Sequence, residues 1–310
     1  MSFELRKNES IRKGIRRIVR KQLKSARDSL NDSTGEDLDE RIHSVRKSLK
    51  RVRAVVRLVR YSIGDSAYRI ENDSLRDAAR PLAEVRDAKI LIATLDKLKK
   101  DSHDAVKITL FTAARKSLVE NKDEVVNKIR RDETAFSATE NTIDEAIERV
   151  DEWSDLRGDW QSLGKGVKDV YRQGRKAFDA VKLARTVENL HEWRKQIKYL
   201  RHQLELLAPT WPKVVGELAK QAEELGELLG EDHDLAVLHC QLSQSVHNDD
   251  KPDSELLTSL IESRRKAIQS EAIPKGELLY RDRPKQFERR LKAYWQKWAQ
   301  RGQKKLAAVC

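Results

Sequence analysis

Histidine, arginine and lysine recur at fixed intervals in one stretch of this sequence. In IHSVRKSLKRVR, His43, Arg46, Lys47, Lys50 and Arg53 stand at i, i+3, i+4, i+7 and i+10, and Arg57 continues the series. On a helix turning ~100° per residue these side chains share one arc, opposite the apolar stripe Ile42, Val45, Leu49, Val52 and Val56. Like charges at such intervals repel by a few tenths of a kcal/mol per pair. With no acid on that arc, an external anion is what relieves the repulsion. The ladder is about 15–20 Å long, which suits an extended polyanion. Arginine can grip two oxygens at once, while lysine supplies a mobile point charge.

The same pattern returns 148 residues later. LHEWRKQIKYLR places His191, Arg194, Lys195, Lys198 and Arg201 at the same intervals, and Leu190, Trp193, Ile197, Leu200 and Leu204 repeat the apolar stripe. His202 lies at the edge of this face. The preceding basic helix also recurs: Arg16, Arg20 and Lys24 align with Lys168, Arg172 and Lys176 at an offset of 152. The Arg-rich run from Ser10 to Lys24 is therefore the first helix of a repeat and not an organellar leader. LAEVRDAKIL, from Leu82, matches LGEDHDLAVL, from Leu229, at an offset of 147. The sequence thus reads as two copies of one unit of about four helices, residues 1–156 and 157–310, sharing a face.

Turn residues cluster at Asn31–Glu36, Ser62–Ser66, Lys100–His103, Asp132–Thr142, Asp155–Gly164, Pro209–Pro212, His247–Ser254 and Ile273–Gly276, which are the expected breaks between helices.

Composition agrees with helices. The 310 residues include 37% charged and 38% apolar residues, with only 12 Gly and 6 Pro, too few for the turns of an all-β chain. Lys and Arg number 63 against 51 Asp and Glu, a net charge of +12 that attracts polyanions. No apolar run approaches the ~18 residues of a membrane span. Cys240 and Cys310 are too few for a disulfide framework or a zinc site, which points to a reducing, cytoplasmic setting.

Catalytic signals are weak. Glu231, Asp232, His233 and Asp234 form an acidic cluster, but adjacent helical residues diverge, so structural salt bridges are expected; Asp87 and Asp234 can orient basic residues of the site. Gly164-x-Gly166 follows no strand and does not mark a dinucleotide fold. No nucleophile or carboxylate pair recurs between the repeats, so no enzyme activity, cofactor or metal is expected. His43 and His191 read either as anion donors or as helix residues bonded to neighbouring groups. The tryptophans and tyrosines keep a nucleic-acid-binding alternative open, since single-strand binders stack bases on aromatics, and a phosphate-processing enzyme is a more remote one.

The motif H-x-x-R-K-x-x-K-x-x-R, present twice, each time after a basic helix and before an R-D or H-D segment (Arg86-Asp87, His233-Asp234), resembles the CHAD domain, the conserved histidine α-helical domain. The resemblance spans about Glu9 to Trp298 and implies an all-α fold of two pseudo-symmetric four-helix bundles sharing a basic central groove or pore. It further implies that the basic helices bind inorganic polyphosphate, with a role in granule association or regulation; the net charge of +12 adds a weak, non-specific attraction to nucleic acid. The E-x-E-x-K strand motif of the triphosphate-tunnel domain found in many relatives is missing from this sequence, so that domain's hydrolase activity is not expected.

Overall fold

The structure, a computed structural model, describes residues 3–32, 38–101, 108–153, 156–245 and 251–307. Parts of the expected breaks at 31–36, 100–103, 155–164 and 247–254, together with Cys310, lie outside these residues. Among the described residues the regular structure is entirely helical: α1 (Ile11–Leu30), α2 (Leu38–Ile63), α3 (Asp65–Ala78), α4 (Ala83–Asp101), α5 (Ile108–Arg131), α6 (Glu133–Arg149), α7 (Gln161–Leu183), α8 (Val187–Leu207), α9 (Glu217–Ser245), α10 (Lys251–Leu279) and α11 (Pro284–Ala307). None is long and apolar enough to cross a membrane.

Two expected breaks are corrected. Asp132–Thr142 is not a loop: Asp132 is the N-cap of α6, its carboxylate accepting from the Ala135 amide at 3.1 Å. Ile273–Gly276 does not interrupt α10, which carries Pro274 in its interior. Gly276 stands there because α10 passes close to α8: a Cβ at this position would lie 2.6 Å from the ring of Trp193.

The packing order of α1, α2, α4 and α5 recurs as that of α7, α8, α9 and α10. α1 pairs with α2 as α7 does with α8, α4 with α5 as α9 with α10, and α6 closes on α1 as α11 closes on α7. α2 is central, touching α1, α3, α4, α7 and α8. Every residue of both apolar stripes is buried, each contributing about 1.5–3 kcal/mol. That outweighs the few tenths per cation pair on the opposite face, so the ladder can be held in place without a ligand. Gly166 allows α7 onto α2, since a Cβ there would sit 1.9 Å from the Leu58 carbonyl oxygen. Gln203 also ties α8 to α2, donating to the Ala54 carbonyl at 3.2 Å.

The cores cross the repeat boundary. The larger joins the stripes of α2 and α8 with side chains of α1, α6, α7 and α11. The smaller unites Leu91, Leu95 and Leu98 of α4 with Phe111 and Leu118 of α5, Leu235 and Leu238 of α9, and Leu257, Ile261 and Ile268 of α10.

Candidate functional site

Where α2 lies against α8, the middle rungs of the two ladders come together. Arg46 and Lys50 from α2 are within electrostatic reach of Arg194, and Lys198 of α8 is within reach of Lys50. Each half brings its own carboxylate from the following long helix: Arg46 Nη2 lies 3.5 Å from Asp87 Oδ1, and Arg194 Nη2 lies 4.0 Å from Asp234 Oδ1. These two pairs occupy corresponding positions at the sequence offsets of 148 and 147.

Cations exceed anions here, and burial adds to the cost of their charge. Burial, followed by Arg194 and Lys50, pushes the Lys198 ammonium down to about 6. Burial, followed by Arg46 and Arg194, pushes Lys50 down to about 8. Lys50 is exposed whereas Lys198 is half-buried, so solvent screens the charge of Lys50 more. Arg46 and Arg194 are lowered mainly by burial. His43 is lowered by burial and by Arg86, and His191 by burial and by Arg194. Burial pushes the Asp234 carboxyl up against the pull of Arg194 and Lys198.

A chain built this way, with paired H-x-x-R-K-x-x-K-x-x-R helices each answered by an aspartate, is matched by the CHAD domain family profile over residues 15–243. The chain belongs to the CHAD domain family. No curated protein sequence matches it. Among solved structures, the CHAD chain is similar to PptA from Streptomyces chartreusis, with a TM-score of 0.60 at 13% identity over 88% of this chain and 100% of that one; at this identity the likeness is one of fold.

The CHAD ladders are not gathered whole. Lys47 is exposed on α2, and exposed Lys195 pairs with Glu192. Arg53 donates to Asn72 Oδ1 at 3.3 Å, and Arg57 shares that acceptor while lying 4.0 Å over the Tyr199 ring. Arg201 is held by Glu205 at 2.7 Å and by Glu223. His202 is turned away from the cations: its Nδ1 lies 2.9 Å from Glu205 Oε2 and its ring meets Phe3 edge-on. The basic residues of the preceding helices have other partners. Arg16 donates to the carbonyls of Asp151 (2.7 Å) and Trp153 (3.0 Å), and Arg20 pairs with Asp151. Lys24 lines a shallow hollow with Arg20. Arg172 pairs with Asp169 on its own helix, Lys168 is half-buried there and Lys176 is exposed.

Other groups enter the site that the repeat pattern did not nominate. Arg86 faces His43, Arg46 and Asp234. The His233 ring lies 4.9 Å from that of His191, tilted by 48°, and burial plus Arg194 push it down to about 4. Both sit in the R-D and H-D segments, at corresponding positions whose different residue types kept them off the list of expected site residues. The neighbouring acids are structural: Glu231 binds Lys97 (2.6 Å) and Arg264, and buried Asp232 binds Arg265 (3.1 Å) and Gln269 (2.8 Å). Among the described residues no group of three or more His, Cys, Asp or Glu could hold a metal ion.

Proposed function

We propose that this CHAD protein binds inorganic polyphosphate along the α2–α8 contact, as a cytoplasmic protein associated with polyphosphate granules, and does not turn it over. One observation carries the reading: Arg46, Lys50, Arg194 and Lys198 crowd together with Asp87 and Asp234 against them, so that two ammonium groups are disfavoured until an anion arrives. A linear polyanion with one charge per phosphate and no bases needs donors in series and nothing that reads an edge. Membership of the CHAD family supports the same ligand.

Single-stranded nucleic acid fits less well because aromatics of α7 and α8 are used in packing. Trp193 is fully buried 4.8 Å from Phe178, and Tyr171 stacks on Phe287 at 3.9 Å; a base-binding groove needs such rings at its surface. Competition of long-chain polyphosphate against heparin and single-stranded DNA and RNA of matched charge, at ~150 mM salt, tests the proposal: polyphosphate is expected to win at least tenfold, and equal potency would reduce the site to generic anion attraction.

A further inference from the structure

The two half-sites differ in a way the duplication conceals. In the first half, Arg46, Lys50 and Arg53 look across a compact cavity of about 220 Å³ onto the corner between α3 and α4, which adds Arg76 and Arg80. The remaining lining is apolar, with no carboxylate. At the offset of 147, Arg76 and Arg80 become Glu223 and Glu227. Glu223 holds Arg201, and Glu227 lines a larger cavity of about 790 Å³ beside Lys198 and Arg201, with Glu224, Glu231 and Asp234 also on its walls. Carboxylates therefore line the second-half cavity beside its cations, whereas the first-half cavity has none on its walls.

Within the first pocket the existing partners are replaceable. Arg53 leans on the neutral amide of Asn72. Arg76 pairs with Asp73 and Asp77 at 3.0 Å each, all three half-exposed, and such pairs contribute little in water. Arg76 is also one of the charges that lower Arg53, after burial and Arg57.

We infer that the first-half pocket anchors a terminal phosphate group, so that a phosphate polymer is gripped by one end here and laid along the ladders towards Lys198. The inference rests on the polyphosphate reading for its long-chain form. Five cations line this cavity, and the three carboxylates paired with Arg46 and Arg76 leave an excess of about two charges, more than a singly charged internal phosphate neutralises. A terminal phosphate carries a second ionisable oxygen, with a charge of roughly −1.5 to −2 at neutral pH as in a phosphate monoester. Short oligophosphates and long chains both present this group, and they are separated by the test.

The test uses the full chain in calorimetry at ~150 mM salt, with three probes: tripolyphosphate, long-chain polyphosphate with free ends, and the same polymer with both ends esterified. The variants are R76E/R80E, which copies the second half, and E223Q/E227Q as its mirror; circular dichroism confirms the fold of each. Tripolyphosphate is expected to bind one-to-one and to weaken at least tenfold in R76E/R80E, with no comparable loss in E223Q/E227Q. Capping is expected to weaken the long chain at least fivefold in the natural protein, and that difference is expected to vanish in R76E/R80E. Equal binding of capped and free chains to the natural protein, or tripolyphosphate binding indifferent to R76E/R80E, would overturn the anchor. If the free long chain did not bind but tripolyphosphate bound in an R76E/R80E-sensitive way, the anchor would stand as a site for short oligophosphates and the polyphosphate reading would fall.

Discussion

Lys50 on α2 and Lys198 on α8 hold the same register in the two repeats and lie within electrostatic reach, and Lys50 is one of the charges that depress Lys198. A binding site that holds like charges together without ligand is strained by design of its sequence, and its behaviour with pH, mutation and anion follows.

The first consequence concerns affinity. A bound polyanion favours the charged forms of Lys50 and Lys198, so binding takes up protons wherever pH lies above their depressed values of about 8 and about 6. Affinity for polyphosphate is expected to rise as pH falls from 9 to 6. Because His43 and His191 are themselves lowered, chiefly by burial, they add charge only at the acid end of that range. K198R, charged throughout, is expected to flatten the profile; calorimetry in buffers of different ionisation enthalpy measures the proton uptake directly, and an unchanged profile in K198R would place the titration elsewhere.

Stability without ligand takes the opposite sign. Unfolded lysine titrates near ~10.4, so between about pH 6 and that value the unfolded chain binds more protons than the folded one at Lys198 and Lys50. Their destabilising effect therefore grows as pH falls towards 6 and fades as pH rises towards the unfolded value. K198M is expected to raise Tm by a few degrees at pH 6, by less at pH 9, and to weaken polyphosphate binding at least tenfold. Thermal denaturation of the unliganded protein decides the matter: a K198M variant less stable than the natural protein at pH 6 would show that Lys198 is a structural contact.

Asp234 is the counter-charge to Arg194 and Lys198, and burial already raises its carboxyl. Because the raised carboxyl marks an ionised form that folding disfavours, D234N is expected to raise the Tm of the free protein at pH 7 to 8, and to tighten polyphosphate severalfold, since one like-charged neighbour of the polymer is gone. Weaker binding in D234N would mean that holding Arg194 in position outweighs the repulsion.

The helices and their inward faces were legible because a 3.6-residue period writes burial directly into the sequence: both stripes, from Ile42 to Val56 and from Leu190 to Leu204, are buried throughout. The pairing of Arg46 with Asp87 and of Arg194 with Asp234 was half legible, since the duplication marked all four residues without giving their distances. Breaks were read less well. Asp132 is a cap rather than a loop, and Gly276 makes room for Trp193 rather than ending α10. Periodicity also says which residues are buried but not against what, so the core shared by α4, α5, α9 and α10 left no trace. Arg76 and Arg80 were invisible for another reason: repetition nominated the site residues, and these two do not repeat.

Gly166 tests the packing that brings the ladders together. G166A forces a methyl group against the Leu58 carbonyl oxygen, where only 1.9 Å is available, and overpacking of this kind costs about 1–3 kcal/mol. Because the strain falls between α7 and α2, polyphosphate affinity is expected to fall along with Tm; a destabilised G166A with full affinity would show that the α2–α8 register does not depend on α7.

The most direct test of the central claim is calorimetric binding of long-chain polyphosphate at ~150 mM salt by the natural chain, K50E, K198E and the double variant K50E/K198E. A single site spanning both repeats predicts that either charge reversal weakens binding at least tenfold, that log affinity of the natural chain falls linearly with log salt, and that the double variant loses markedly less than the product of the two single losses, because each reversal already disrupts contacts that hold the same polymer. Independent, strictly multiplicative losses with halved stoichiometry in each single variant would contradict it, and would leave two separate ladders where the account requires one.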